Sequence, residues 1–101
     1  MRPRSVQNVN LYVSPKIFYT YVLQSLKNNS FYIGYTEDLR KRIGEHSSGK
    51  NPSTKPFRPY KLIFYEAFHD RKDAKKREVY LKSGWGFRSI KKILKNYLST
   101  K

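Results

Sequence analysis

The chain contains no cysteine, which excludes disulfide bonds and thiolate metal sites. Its apolar runs are short, and none approaches the ~20 residues that a membrane-spanning helix needs. The basic, acid-poor segment 1–15 also has no apolar stretch of the kind found in secretory signals. We therefore expect a cytoplasmic protein that does not span a membrane.

Acidic residues are scarce, because 7 Asp+Glu stand against 22 Lys+Arg and the formal net charge is +15. A domain this basic repels itself, so we expect an anionic partner. Nucleic acid is the leading candidate, and an anionic membrane surface is the second. Aromatic residues make up 16% of the chain, and aromatic rings combined with arginine suit base stacking and phosphate contacts.

The chain length predicts a single domain, which we place at 16–101 after a flexible basic N-terminal tail at 1–15. Runs rich in β-branched and aromatic residues predict strands at 16–26, 31–35 and 61–68, and the asparagines of 27–30 predict a turn between the first two. Helical patterns predict three helices, at about 36–47, at 71–83 and after Gly86. The order β-β-α-β-α-α predicts an α+β domain, with a three-stranded antiparallel sheet flanked by three helices.

Single residues predict where these elements begin, end or approach one another. Thr36 and Asp70 are expected to cap the N-termini of the first two helices, because their side chains can accept from free backbone N–H groups. Gly49 is expected to end the first helix. Gly34, near the end of the second strand, predicts either a bend or the close approach of another group.

Apolar spacing predicts which faces are buried. The run 61–68 is apolar at both odd and even positions, which predicts a strand covered on both faces. Leu39 and Ile43 mark the buried stripe of the first helix. The buried face of the last helix is predicted from residues at the i, i+3, i+4, i+7 spacing, namely Ile90, Ile93, Leu94 and Tyr97.

Two polar residues lie at the edge of the first helix's apolar stripe. Arg42 and His46 are four residues apart and so share one side of the helix, which borders the stripe because Leu39 precedes Arg42 by three. We expect both side chains to be half-buried and to face the end of the hairpin. Arg42 is then either a functional cation or a surface residue that extends its charge into water, and His46 is either functional or an ordinary boundary residue.

Glu78, the last carboxylate in the chain, is a second unusual residue. It lies four residues after Ala74 and three before Leu81, so it shares the face of the second helix that should point inward. A carboxylate in that position needs a partner. The partner is either a neighbouring lysine or arginine or a hard divalent cation, which prefers oxygen ligands.

Taken together, the motifs resemble the GIY-YIG nuclease family, and most of all its short stand-alone bacterial members. Tyr19-Thr20-Tyr21 stands in place of Gly-Ile-Tyr and keeps only its tyrosine, whereas Tyr32-Ile33-Gly34 is well preserved. "DLRKRIGEH" and "KKREVYLK" follow. Tyr32 lies eleven residues after Tyr21 and Arg42 ten residues after Tyr32, as in the family. The resemblance covers about residues 17–98.

This resemblance implies a three-stranded antiparallel sheet and metal-dependent hydrolysis of a phosphodiester bond. It assigns one Mg²⁺ or Mn²⁺ ion to Glu78, and the scissile phosphate to Arg42. Tyr32 is then the tyrosine near the attacking water, Tyr21 supports it by hydrogen bonding, and His46 assists proton transfer. Either Tyr32 or His46 could be the general base. Histidine is suited to this role because its ordinary pKa is near neutral pH, and a tyrosine could take it because a cationic setting makes a phenol more acidic.

Three functions are compatible with the sequence. The first is an endonuclease in DNA repair or processing, structure-selective or weakly sequence-specific, with DNA favoured over RNA. The second is a non-catalytic nucleic-acid-binding module of the same fold, and the third is a basic structural protein, for example one associated with ribosomes. All three use basic residues for phosphate contacts, for which we nominate Lys41, Lys50, Lys55 and Arg58. Only the first requires Tyr32, Arg42 and Glu78 together.

Overall fold

The computed structural model describes residues 16–100. The tail predicted at 1–15 lies outside the described residues. Three strands are present: β1 (Phe18–Ser25), β2 (Phe31–Thr36) and β3 (Tyr60–Phe68). They form one antiparallel sheet in the order β2-β1-β3, so the predicted sheet is confirmed. The predicted turn between β1 and β2 is confirmed as well, and Asn29 has the left-handed backbone (φ 66°) that asparagine tolerates.

The central strand is β1, and this corrects the expectation for β3. Every residue of β1 except Tyr19 is buried, because the strand has a neighbour on each side and helices over both faces. By contrast, β3 is an edge strand that is half-buried at best, and Tyr65 is 51% exposed. The prediction that 61–68 is covered on both faces was therefore wrong. The run is apolar at both odd and even positions partly because it includes aromatic rings that remain exposed to solvent. One of them, Tyr65, packs edge-on against Tyr19 with 6.0 Å between ring centroids.

The helical elements are α1 (Leu39–Ser48), a short 3₁₀ helix (Lys55–Phe57), α2 (Arg71–Lys82), α3 (Gly84–Ile93) and α4 (Lys95–Ser99). The last predicted helix is thus two helices, α3 and α4. None of the helices within residues 16–100 combines the length and apolar character that a membrane crossing requires.

The two faces of β1 carry different structures, because successive side chains of a strand point to opposite sides. On one face, Thr20 donates to the Ala74 carbonyl of α2 at 2.6 Å, and Val22 joins the hydrophobic core. The core also contains Ile33 of β2, Leu81 of α2 and Ile90 of α3. The other face carries Tyr21 and meets α1.

The buried stripes differ from those predicted. In α1 the one fully buried residue is His46, whereas Leu39 and Ile43 are only half-buried. Of the four residues predicted for the last helix, Ile90 is buried, Leu94 packs against the core and Tyr97 is half-buried. Ile93 is 50% exposed, because the chain ends one helix at this residue and begins another.

Capping explains where α1 and α2 begin. Asp70 caps α2 as predicted, since its carboxylate accepts from the Lys72 N–H at 2.8 Å. The cap predicted at Thr36 was wrong. Asp38 caps α1 by accepting from the Lys41 N–H at 3.1 Å, while Thr36 ends β2 and accepts from the Asp38 N–H at 3.1 Å. Gly49 ends α1 in a left-handed conformation (φ 83°), as predicted.

Candidate active site

The centre of the candidate site is the side chain of Tyr21, which reaches across the sheet from β1. Tyr21 pairs with Gly34 of β2, and its ring lies directly over that glycine. A Cβ atom built on Gly34 would overlap the Tyr21 hydroxyl and its ring carbons. Gly34 therefore permits a close approach, which is one of the two functions predicted for it.

A line of hydrogen bonds runs inward from the Tyr21 hydroxyl. It lies 3.0 Å from Nε2 of His46, and Nδ1 of the same ring lies 2.8 Å from Oγ1 of Thr54. His46 is 1% exposed and Thr54 fully buried, so the prediction of a half-buried rim position for His46 was wrong. The imidazole can be buried because each of its nitrogens has a hydroxyl partner, which offsets its removal from water.

Burial also sets the protonation of these groups. Loss of solvent raises the pKa of Tyr21 to about 12, and this outweighs the opposing contact with the Arg42 guanidinium. The same loss of solvent lowers the pKa of His46, and the positive charge of Arg42 lowers it further. At neutral pH the pair is therefore a phenol and a neutral imidazole.

Arg42 lies at the surface end of this arrangement. Its side chain is 38% exposed, as expected from the spacing on α1. Nε donates to a carboxylate oxygen of Glu45 at 3.1 Å, and one terminal nitrogen donates to the Tyr35 carbonyl at 3.2 Å. The guanidinium also lies close enough to the Tyr21 hydroxyl to oppose the rise in its pKa. These contacts fix a planar cation in place and leave part of it open to solvent.

Two surface cavities meet at Arg42. One, of about 280 Å³, lies at the end of β2 and the start of α1, and Lys41 lines it. The other, of about 340 Å³, is formed with Lys50, Asn51 and Pro52. Glu45 borders both cavities. Glu37 and Asp38 also line the first cavity, so an anion is better accommodated in the second, where Arg42 and Lys50 face one carboxylate.

Tyr32 is half-buried beside the two inner residues. Its ring centroid lies 4.9 Å from that of His46 and 6.4 Å from that of Tyr21. Tyr60 of β3 also packs against the imidazole, at 6.2 Å between centroids. Three tyrosines from three strands thus contact His46.

Glu78 approaches the site from α2, on the opposite face of the sheet from α1. Its side chain is 21% exposed, whereas Ala74 and Leu81 beside it are fully buried, so Glu78 lies at the border of the inward face. Its charge is close enough to Tyr21 to raise the pKa of that phenol. The structure therefore brings Glu78 into the same electrostatic environment as Arg42. Glu78 also accepts from Nζ of Lys82 at 2.9 Å. This ion pair is one of the two partners predicted for Glu78 from the sequence, the other being a divalent cation.

The ligand chemistry for a divalent cation rests on one residue. Among residues 16–100, no three His, Asp or Glu side chains cluster as a ready-made metal site. Mg²⁺ nevertheless binds through one or two carboxylates together with waters and substrate phosphates. Glu78 is partly open to solvent and its charge reaches Tyr21, so it fits a cation of this kind if phosphate and water complete the coordination.

The four nominated nucleic-acid contacts are all exposed: Lys41, Lys50, Lys55 and Arg58. Lys41 and Lys50 line the two cavities beside Arg42. Lys55 and Arg58 lie around Gly49, since a Cβ built there would approach the Arg58 guanidinium at 2.7 Å and Lys55 Cγ at 3.4 Å. Together they extend positive charge from the candidate site along the segment that follows α1.

Sequence reasoning missed three residues of the site. Glu45, the partner of Arg42, could have been found from its spacing, because residues three apart on a helix are neighbours. Tyr60 and Thr54 left no such signal. Both reach His46 only through the path of the chain after α1, and no periodicity predicts that path.

Known proteins are similar to this chain over the segment that carries the site residues. A family model described as the GIY-YIG catalytic domain matches residues 17–87. UPF0213 protein YazA of Bacillus subtilis is 47% identical over 57 residues, which are 55% of this chain and 58% of the relative. A UPF0213 protein of Pediococcus pentosaceus is 37% identical over 83 residues, 81% of this chain and 86% of the relative. The match thus spans less than two thirds of YazA and most of the Pediococcus protein.

One solved structure is also similar. It is the solution NMR structure of a UPF0213 protein from Bacillus halodurans, with a TM-score of 0.49 and 31% sequence identity. The similarity covers 76% of this chain and 84% of that one.

Proposed function

Because this chain belongs to the GIY-YIG catalytic domain family, a family of nucleases, we propose that it is a metal-dependent endonuclease that hydrolyses phosphodiester bonds of DNA. The family membership confirms the resemblance noted in the two tyrosine motifs. The observation that carries the proposal is the convergence on Tyr21. Its hydroxyl lies 3.0 Å from Nε2 of His46, and the charges of Arg42 and Glu78 act on it from two different helices.

Arg42 is assigned to the scissile phosphate. Hydrolysis builds negative charge on the phosphoryl oxygens, and a planar guanidinium that is always charged stabilises that charge. Glu45 and the Tyr35 carbonyl accept from two different nitrogens of the guanidinium. The cation is therefore oriented before the substrate arrives.

The burial of His46 favours Tyr32 as the group that contacts the attacking water. His46 is enclosed, and both its ring nitrogens have partners inside the protein. Tyr21 has a pKa of about 12 and so remains a proton donor at neutral pH. Tyr32 is only half-buried and lies beside both inner rings, so it can meet a water molecule that the enclosed His46 cannot. Tyr21 and His46 then serve as its inner support.

Glu78 is assigned to one Mg²⁺ or Mn²⁺ ion. When bound, the ion supplies Lewis-acid stabilisation of negative charge on the phosphate and leaving oxygens. Glu78 would hold it with one carboxylate, so we expect weak affinity without DNA. Release of Lys82 is a small obstacle, because its side chain is 54% exposed and exposed ion pairs contribute only about 0–1 kcal/mol.

Nucleic acid as the substrate is supported by the surface. Beyond the four nominated cations, exposed aromatic rings lie under cations: Arg88 is 4.6 Å from the Trp85 ring and Lys91 is 4.9 Å from the Phe87 ring. Rings and cations of this kind stack on bases and bind phosphates. We favour DNA over RNA, cut with structure selectivity or weak sequence specificity during repair or processing.

A second function is favoured by one observation. The Glu78–Lys82 ion pair at 2.9 Å is what a binding module that lacks metal would use to satisfy this carboxylate. Such a module would bind nucleic acid through the same cations and would not cleave it. The two functions differ in what they require of Glu78: the nuclease needs its carboxylate as a metal ligand, and the binding module does not.

The test is cleavage of labelled substrates by the wild type and by Glu78→Ala, with and without Mg²⁺ or Mn²⁺. The panel contains single-stranded, duplex and branched DNA and the corresponding RNAs. We expect metal-dependent cleavage by the wild type, its loss in Glu78→Ala and unchanged binding by both. Lys82→Ala is the matched control, because it breaks the same ion pair and leaves the carboxylate, so it should retain activity.

Other outcomes would count against the nuclease. Binding without cleavage by the wild type would support the binding module. Cleavage that survives Glu78→Ala would place the metal elsewhere or point to a contaminant. Equal loss in Lys82→Ala and Glu78→Ala would mean that the ion pair, rather than a metal ligand, is what matters.

A further inference from the structure

Thr54 is a buried polar residue with no part in the function proposed above. It lies just before the 3₁₀ helix and is 0% exposed. Its hydroxyl oxygen is 2.8 Å from Nδ1 of His46 and 3.4 Å from the Asn51 carbonyl. The hydroxyl proton of Thr54 therefore has two acceptors within reach, Nδ1 of His46 and the Asn51 carbonyl, which also accepts from the backbone N–H groups of Thr54 and Lys55.

The Tyr21 phenol decides between them. Within residues 16–100, the acceptor within hydrogen-bond distance of its hydroxyl is Nε2 of His46 at 3.0 Å, and the guanidinium of Arg42 nearby can only donate. Nε2 therefore accepts the phenol proton, and in a neutral imidazole Nδ1 then carries the ring proton. The Thr54 oxygen accepts from Nδ1 at 2.8 Å, and its own proton is left to the Asn51 carbonyl at 3.4 Å. This arrangement satisfies Tyr21, His46 and Thr54 together.

The surroundings of the ring explain why a neutral partner matters. The titratable and charged groups around His46 are Tyr21, Tyr32, Arg42, Glu45 and Tyr60. Glu45 is occupied with Arg42 and does not reach the ring. A carboxylate on Nδ1 would stabilise the charged imidazolium, whereas the Thr54 hydroxyl orients the ring without adding charge.

We propose that Thr54 is a positioning residue that holds His46 as the Nδ1–H tautomer, with the free Nε2 lone pair directed at Tyr21. Its consequence for catalysis rests on the proposed nuclease function. With this tautomer, Tyr21 has an acceptor for its proton and its oxygen remains oriented toward Arg42 and Tyr32. With the other tautomer, an N–H would face the phenol, and the hydroxyl proton of Tyr21 would lose its acceptor.

The test is the tautomer itself, read by NMR from long-range ¹H–¹⁵N couplings in the histidine rings of the labelled full chain without nucleic acid. We expect Nδ1–H for His46 of the wild type at neutral pH. Thr54→Val removes the hydroxyl and should shift the ring to the Nε2–H form or a mixture, and Thr54→Ser should restore Nδ1–H. The exposed His69 is the internal reference and should be the same in all three proteins.

The inference fails if wild-type His46 is the Nε2–H tautomer, or if Thr54→Val leaves the tautomer unchanged. Amide spectra report whether each variant is folded. If the valine variant does not fold, the tautomers of His46 in the wild type and in Thr54→Ser still test the inference, because both are expected to be Nδ1–H. None of these readouts uses cleavage, so failure of the nuclease function would be seen separately.

Cleavage supplies the second readout. A positioned acid–base group contributes about 10²–10⁴-fold to a rate, and a mixture of tautomers keeps part of that. We therefore expect Thr54→Val to lower kcat about 10- to 100-fold with little change in DNA binding, and Thr54→Ser to stay near the wild type. Equal losses in Thr54→Val and Thr54→Ser would assign the residue a packing role instead.

Discussion

Replacing Gly34 with alanine should destabilise this protein, although the same change stabilises many strands. Gly34 is not one of the residues with a positive φ in the described segment 16–100. Its backbone conformation is therefore one that alanine can also adopt. In an ordinary strand interior, glycine is worse than alanine by about 0.5–1 kcal/mol. Here the added Cβ overlaps the hydroxyl end of the buried Tyr21 side chain.

The size of the effect follows from what must move. Tyr21 is 0% exposed, so its ring has no free space to enter, and overpacking a core usually destabilises by about 1–3 kcal/mol. Displacing the hydroxyl also breaks its bond to His46, a further contribution of about 0.5–1.5 kcal/mol. After subtracting the ~0.5–1 kcal/mol that alanine regains in a strand, the net loss is about 0.5–4 kcal/mol. For a domain near 100 residues, where 1 kcal/mol corresponds to about 4–8 °C, we expect Tm to fall by roughly 2–30 °C.

The assay is thermal and urea unfolding of Gly34→Ala beside Gly44→Ala. Gly44 lies inside α1, and a Cβ built there meets nothing within 4 Å. Alanine at that position should stabilise the helix by up to about 1 kcal/mol. The two substitutions are chemically identical, so opposite signs isolate the contact with Tyr21.

A neutral or stabilising Gly34→Ala would refute the reasoning, because the Tyr21 ring could not then lie over Gly34. The same variant should lose cleavage under conditions where it is still folded, since its Tyr21 hydroxyl no longer reaches His46 and Arg42. Full activity in a destabilised variant would separate the packing of Tyr21 from the proposed chemistry.

Three further predictions test other parts of the site. Arg42→Ala should lower turnover far more than Lys50→Ala, which should mainly reduce the salt dependence of DNA binding; equal effects on kcat would argue against a phosphate contact in the transition state. Burial lowers the pKa of His46 below its usual 6.5, so below about pH 6.5 the unfolded chain binds a proton that the folded one does not, and the free energy of unfolding should fall as the pH drops. His46→Gln should remove that part of the pH dependence and the exposed His69→Gln should not; urea unfolding between pH 7.5 and 5 checks this. The fluorescence of Trp85, the chain's one tryptophan, should be quenched by single-stranded DNA; a blue shift with anionic vesicles and no response to DNA would favour a membrane surface.

The sequence predicted those parts of the fold that local patterns determine. Strand composition and turn residues were sufficient for the three-stranded sheet, and Asp70 and Gly49 act as helix caps where their side-chain and backbone properties indicate. Thr36 illustrates the limit of such rules. Two good caps, Thr36 and Asp38, stand two residues apart, and only the length of β2 decides between them.

Burial was harder to predict, because it depends on strand order. The central position of β1 follows from pairing with both β2 and β3, and no pattern inside β1 specifies two neighbours. His46 was misplaced for a related reason. A histidine at the edge of an apolar stripe looks like a boundary residue until Thr54, eight residues later in the segment that follows α1, supplies the second hydrogen bond that permits burial.

The site divides into two groups with different sensitivities to mutation. Tyr21, His46 and Thr54 are fully buried and bonded to one another, so removing one polar atom leaves another unsatisfied, which costs about 1–3 kcal/mol. Arg42 and Glu78 are partly exposed and pair with exposed or half-buried neighbours, so their replacement should change stability by less than about 1 kcal/mol. Loss of activity without loss of stability should therefore identify the two charged residues, whereas variants of the three buried residues should lose both. Measuring the free energy of unfolding and kcat on the same proteins would separate the groups, and a large loss of stability in Arg42→Ala would contradict the division.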